Sequence, residues 1–135
     1  MRNSLTILFL FCITTVAFGQ SKITGPFDSE KWLSSSTYRY DLILRSTDVE
    51  GFDVYNKSEK EIIALLGQPF QRNERTNSSV RTSDGWVIGK TVIDLTYCLD
   101  LVSGPREDEG GHCTGASITY HFYQNKTVDA TVISR

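Results

Sequence analysis

Val92-Ile93-Asp94-Leu95-Thr96-Tyr97-Cys98-Leu99-Asp100-Leu101-Val102 is the stretch that decides the fold. Ile93, Leu95, Tyr97, Leu99 and Leu101 are apolar, and Asp94, Thr96, Cys98 and Asp100 stand between them. Successive side chains of a strand point to opposite faces, so this pattern predicts a strand with one buried and one wet face. Residues 117–123 alternate in the same way, with Ile118, Tyr120 and Phe122 inward. Gln124-Asn125-Lys126 predicts a turn, because Asn tolerates positive φ. Residues 127–133 then return, with Val128, Ala130 and Val132 on one face. Upstream, residues 70–88 alternate less clearly. Asn77-Ser78 and Asp84-Gly85 are turn signals there, and one or two strands are expected, one of them holding Trp86, Val87 and Ile88.

A sheet with one wet face needs a cover on the other, and the chain supplies it in front. Ser58 with Glu61 three residues later forms a capping box, and Ile62, Ile63, Leu65 and Leu66 give an apolar stripe. Gly67 and Pro69 end that helix. A helix so short needs packing to persist in water. Earlier, Tyr40, Ile43 and Leu44 fall on one face of a short helix over 37–45. Asp28 can cap a single helical turn running to Trp32, and Ser34-Ser35-Ser36 reads as a loop. Helices first and an antiparallel meander after them predict an α+β fold: two short helices packed on one face of a three- to four-stranded sheet.

The first nineteen residues explain where such a domain works. Met1-Arg2-Asn3 precedes an apolar run ending at Phe18-Gly19, the layout of a secretory signal peptide, with Ala17-Phe18-Gly19 placing the cut before Gln20. The run is too short for a membrane span. The expected organisation is a leader over 1–19, an N-terminal segment over 20–36 and the α+β domain over 37–135, in a periplasmic or secreted protein. The chain has 135 residues and a net charge of −2, one unit more negative once Arg2 leaves with the leader. That balance argues against nucleic acid, which needs clustered Lys and Arg, and gives no sign of an anionic membrane surface. Cys12 as a lipid anchor would need small residues before it, whereas Leu10 and Phe11 precede it. Asn56, Asn77 and Asn125 open Asn-x-Ser/Thr triplets, which matter only in a eukaryotic source.

With Cys12 in the leader, Cys98 and Cys113 remain, and an oxidising compartment favours one disulfide. If residues 92–102 pair directly with 117–123 and Cys98 faces Cys113, Ile93 falls opposite Ile118 and Asp94 opposite Ser117. Apolar then meets apolar and polar meets polar, as a one-faced sheet requires. The bridge would lie on the wet face and close a loop of about fifteen residues, worth roughly 3 kcal/mol.

Between the cysteines, Arg106, Glu107, Asp108 and Glu109 form a charged loop; its spacing does not match a calcium loop, and a solvated acidic loop is the expectation. His112, Cys113, His121 and Cys98 make a Cys/His set, but the spacing fits no compact zinc site and export favours the disulfide. His121 is expected to point to solvent beside Thr119 and Tyr123. Gly-x-Ser-x-Gly is absent, and so is a phosphate-cradling glycine loop. No cofactor, metal or catalytic residue is expected. Trp86 and Tyr123 are the aromatics expected at the surface, and with residues 106–109 they form the expected partner-binding set.

Phe27 to Trp32, Tyr38-Arg39-Tyr40-Asp41-Leu42 and Ser58 to Pro69, with its Leu65-Leu66-Gly67-Gln68-Pro69 ending, resemble the SmpA/OmlA (BamE-like) small bacterial envelope proteins. They share a fold with the β-lactamase inhibitor proteins. The resemblance implies two helices on a small antiparallel sheet and work by protein–protein contact, as in outer-membrane assembly, with no catalytic residues carried over. The chain departs from the pattern in lacking a convincing anchor cysteine and in carrying the Cys98/Cys113 pair with its acidic loop. Three functions follow as expectations: an exported interaction domain of the cell envelope, an inhibitor of an extracellular enzyme, or a small-ligand site built from Trp86, Tyr123 and His121.

Overall fold

The structure, a computed structural model, describes residues 22–100 and 113–134. Its centre is a four-stranded antiparallel sheet in the order β1-β2-β3-β4, formed by β1 (Gln71–Thr82), β2 (Gly85–Cys98), β3 (Ser117–Tyr123) and β4 (Lys126–Ile133). Three short helices, α1 (Ser29–Ser34), α2 (Ser36–Tyr40) and α3 (Glu59–Leu66), precede it in the chain. The expected α+β architecture and its meander are therefore present.

Local chemistry accounts for each helix end. Asp28 accepts the Lys31 amide at 3.0 Å and opens α1. The expected loop at Ser34-Ser35-Ser36 shrinks to Ser35 alone, which ends α1 and caps α2 by accepting the Tyr38 amide at 3.1 Å. In α3 the capping box is complete: the Glu61 amide donates to Ser58 Oγ at 3.2 Å, and the Ser58 amide donates to Glu61 Oε2 at 2.7 Å. Gly67 closes α3 at φ 83°, and a Cβ there would stand 3.1 Å from Leu33, so both conformation and space favour glycine.

One helical reading changes. After Tyr40 the coil widens into a π-helical turn, Asp41–Arg45, rather than continuing as an α-helix. A wider turn rotates the side chains relative to a 3.6-residue period. Leu42 goes to the core at 2% exposure, while Leu44, expected inward, is 46% exposed.

The helices cover one face of the sheet. Trp32, Leu42, Ile62 and Leu66 meet Leu95, Tyr97 and Leu99 of the central chain and Ile118, Tyr120 and Phe122 of β3. The N-terminal segment belongs to this same core through Trp32. Burying each such side chain contributes about 1.5–3 kcal/mol. Polar ties fix the layers: Trp32 Nε1 donates to the Leu66 carbonyl and Tyr97 Oη to that of Gly67, both at 2.9 Å. Arg39 donates to the carbonyls of Trp32 (2.5 Å) and Cys98 (2.7 Å), with its guanidinium 4.8 Å from the Trp32 ring centre.

The register of β2 on β3 corrects the expectation. Ser117, not Cys113, stands opposite Cys98, and Ile93 faces Phe122 rather than Ile118, a shift of four positions. The ladder continues one step further, with the Leu99 amide donating to the Ala116 carbonyl at 2.9 Å. Cys113 thus lies beyond the paired segment, where the chain bends back to Cys98. The disulfide forms, with the two Cα atoms 5.4 Å apart. A shift by an even number of residues preserves every face, so the inside–outside assignment of both strands survives it. Cys98 lies on the face away from the helices as expected, but it is buried rather than wet.

Candidate functional site

On the sheet face away from the helices, the same alternation places Asp94, Thr96 and Cys98 of β2 beside Ser117, Thr119 and His121 of β3. Four side chains, one from each strand, are hydrogen-bonded in a row across this face. Arg75 of β1 holds Asp94 of β2 through Nε to Oδ2 at 2.6 Å and a terminal nitrogen to Oδ1 at 3.2 Å. His121 of β3 sets Nδ1 2.7 Å from Asp94 Oδ1 and Nε2 2.8 Å from Thr131 Oγ1 of β4. Beside the row, the Thr96 and Thr119 hydroxyls meet at 2.9 Å.

Charge and burial in the row are linked. Burial pushes the Asp94 carboxyl up, but hydrogen bonds from His121 and Arg75 and their positive field outweigh it and hold the group below the ordinary carboxylate range. The hydrogen bond to Asp94 in turn pushes the Arg75 guanidinium up. Asp94 is nearly buried on a face that would otherwise be wet, and Arg75 and His121 give it the partners a buried charge requires.

The β1–β2 hairpin runs past the end of β3 and bends. Register shifts fall between Arg75 and Ser78 and between Ser78 and Val80. Asn77 (φ 51°) and Gly89 (φ 71°) occupy these two bulges, with Asn77 Oδ1 3.4 Å from where a Gly89 Cβ would stand. Bulges bend and twist a strand pair, and here β1 reaches as far as β4. Arg81, Thr82 and Ser83 at the hairpin end then line an open groove of about 440 Å³ with Asn56, Thr127 and Asp129.

The expected site residues are distributed as follows. Cys98 and Cys113 are bonded to each other and supply no thiolate to a metal. Arg106, Glu107, Asp108, Glu109 and His112 lie outside the described residues, as does the leader. Trp86 is 69% exposed on the hairpin, opposite Arg81, while Tyr123 is half-buried at the end of β3, opposite Lys126. Within β2, Trp86 lies six positions beyond Val92, about 20 Å of strand. His121 does not point freely to solvent: its side chain is 15% exposed and both ring nitrogens are engaged. Arg75, Asp94 and Thr131 were not among the expected site residues. The one signal for them was polarity at alternating strand positions, which becomes a row only in the observed register.

Among the described residues no three His, Cys, Asp or Glu side chains gather as a metal site, and no helix is long and apolar enough to cross a membrane. Compared with protein-family models, curated proteins and solved structures, the chain matches none.

Proposed function

We propose that this chain is an exported, non-catalytic protein-interaction domain of the bacterial cell envelope, in the manner of the BamE-like proteins it resembles, serving outer-membrane protein assembly or maintenance. The open face of the sheet is its contact surface. The observation that carries this reading is the row Arg75–Asp94–His121–Thr131, which joins all four strands on the face left bare by the helices. Side chains locked by mutual hydrogen bonds meet a partner with little further ordering cost, and donors and acceptors set at fixed spacing supply specificity. Inhibition of an extracellular enzyme by the same face is the alternative within this class of contact.

The test is site-specific photocrosslinking in the native cells, with the photoreactive residue at Thr119 on the open face or at Lys60 on the exposed side of α3. A discrete protein adduct is expected from Thr119 and not from Lys60. Adducts from Lys60 alone would reverse the assignment of faces. Loss of the gene should also raise outer-membrane permeability to large antibiotics, and an unchanged envelope would remove the assembly role.

A second reading, of a different class, has one observation in its favour. Carboxylate, imidazole and hydroxyl stand in the order used for acyl transfer. In that reading Thr131 Oγ attacks an ester carbonyl while its proton passes to His121 Nε2 and on to the departing alcohol. Water then releases the acyl group. The shared claim of Arg75 on Asp94 and the flat setting favour the first reading. Hydrolysis of p-nitrophenyl acetate that disappears in Thr131→Ala and in His121→Ala would favour the second.

A further inference from the structure

The row on the open face also fixes where its protons sit. The Asp94 carboxyl lies below the ordinary carboxylate range, so it stays ionised and can only accept hydrogen bonds wherever imidazole titrates. Arg75 donates to both of its oxygens, and His121 Nδ1 stands 2.7 Å from Oδ1. Nδ1 therefore carries a hydrogen in every charge state of His121. In the neutral ring Nε2 is then a bare lone pair, and the Thr131 hydroxyl 2.8 Å away donates to it. A free histidine side chain prefers the other tautomer, so it is Asp94 that selects this one.

A proton arriving from solvent has one place to go. Nδ1 is turned to the Asp94 carboxylate, whereas Nε2 faces Thr131, which is exposed on the edge strand β4. Once protonated, Nε2 donates to Thr131 Oγ1, and the direction of that bond reverses. The hydroxyl hydrogen is no longer held by the ring and swings away from it. Charged and titratable groups approach the ring from each strand. Asp94 of β2 touches it, Asp129 of β4 stands opposite it in the ladder, and Arg75 of β1 is already paired with Asp94. Lys90 lies four positions from Asp94 along β2, about 13 Å of strand. Tyr123 and Lys126 face each other at the β3–β4 turn, and Arg81 shares its groove with Asp129.

We propose that His121 is a proton-operated switch in the contact face: protonation at Nε2 reverses the His121–Thr131 hydrogen bond and turns the Thr131 hydroxyl outward as a donor. With His121 neutral, the face presents oxygen lone pairs at Thr131. With His121 protonated, it presents an O–H there and one more positive charge. A partner surface rich in carboxylates is therefore held better by the protonated form. This effect on a partner rests on the contact role assigned to the open face, while the reversal of the bond needs no partner at all.

The experiment follows the imidazole nitrogens of the purified, oxidised, isotope-labelled protein by NMR from about pH 8 to about pH 5, the range in which histidine ordinarily changes charge. The chain has two histidines, and His112→Gln identifies the signals of His121. Neutral His121 is expected to carry its hydrogen on Nδ1 and to take up the proton at Nε2, with the Thr131 side-chain signals moving at the same midpoint. Asp94→Asn should let the Nε2–H form appear. A neutral ring with its hydrogen on Nε2 in the native protein, or Thr131 signals indifferent to the transition, would overturn the proposal. Photocrosslinking from Thr119, repeated on either side of the transition, should give about fivefold more adduct from the protonated form, the worth of one added hydrogen bond. Thr131→Val should remove most of that rise and leave the tautomer unchanged. Adduct of constant yield across the transition would also overturn the switch. A complete absence of adduct tells against the contact reading instead, and the nitrogen signals still decide the switch.

Discussion

Tyr120 sets two preferences against each other. Its ring is buried in the core, edge-on to Tyr97 with centroids 6.1 Å apart, while its hydroxyl has no hydrogen-bond partner among the described residues. Burial holds the phenol far above its ordinary range, so it stays neutral. A buried hydroxyl without a partner costs about 1–3 kcal/mol, so Tyr120→Phe should stabilise the fold by about 1 kcal/mol. Urea unfolding measures it, and a loss of stability would mean that the hydroxyl has a partner in solution. Asp94 is the opposite case, a charge with two partners. Its folded carboxyl lies below the ordinary 3.8, so its contribution is complete above the unfolded value and is lost as pH falls through the folded one. Unfolding of Asp94→Asn should therefore be flatter with pH than that of the native chain below about pH 4. At neutral pH the variant should be less stable by roughly 1.5–3 kcal/mol. Equal acid slopes would show that the pairing is absent in solution. At this scale the sequence was partly legible: His121 stood out as a residue, but its partners did not, because a parity test admits any even shift of register.

Among the elements, α3 was legible because cap, stripe and stop each name a position. Ser58→Ala should remove the capping box and cost about 1 kcal/mol, read from the urea midpoint; no change would mean that tertiary packing alone sets the start of α3. Strand β1 was the least legible. Residues such as Gln71, Arg72, Asn73, Glu74 and Thr76 are exposed on an edge strand, so no apolar period marks them. Its turn signal at Asn77-Ser78 is a bulge within the strand rather than a loop between two, since Asn takes positive φ in either setting. Across the ribbon, Gly89→Ala would force a side chain into the left-handed region at a cost of about 1–2 kcal/mol. Near-ultraviolet circular dichroism would follow the accompanying change in the surroundings of Trp86, and an unchanged spectrum and stability would remove Gly89 from the bend. The π-helical turn Asp41–Arg45 was hidden for another reason: the apolar spacing of Tyr40, Ile43 and Leu44 suited an α-helix, and the burial of Leu42 overrode it.

For the whole molecule, the Cys98–Cys113 bridge and the Arg39 ties act on the same junction, where β2 ends beneath the N-terminal helices. Replacing both cysteines with serine should lower stability by about 3 kcal/mol in the chain-entropy picture. The variant should unfold at lower urea while the native protein responds to reductant, and a variant as stable as the oxidised protein would refute the estimate. The pairing was legible because two cysteines allow one bridge, whereas its geometry was not, since Cys113 closes a bend beyond the ladder. The order of the sheet, β1-β2-β3-β4, repeats the order of the chain. A chain delivered N-terminus first can therefore assemble its sheet as each strand arrives, every new strand finding its neighbour already waiting. The helices come through earlier but must wait, because Trp32 packs against Tyr97 and Arg39 donates to the carbonyl of Cys98. The leading part of the chain thus gains these partners only once β2 has followed it, so in a chain that emerges gradually the first residues out are the last to be locked in place.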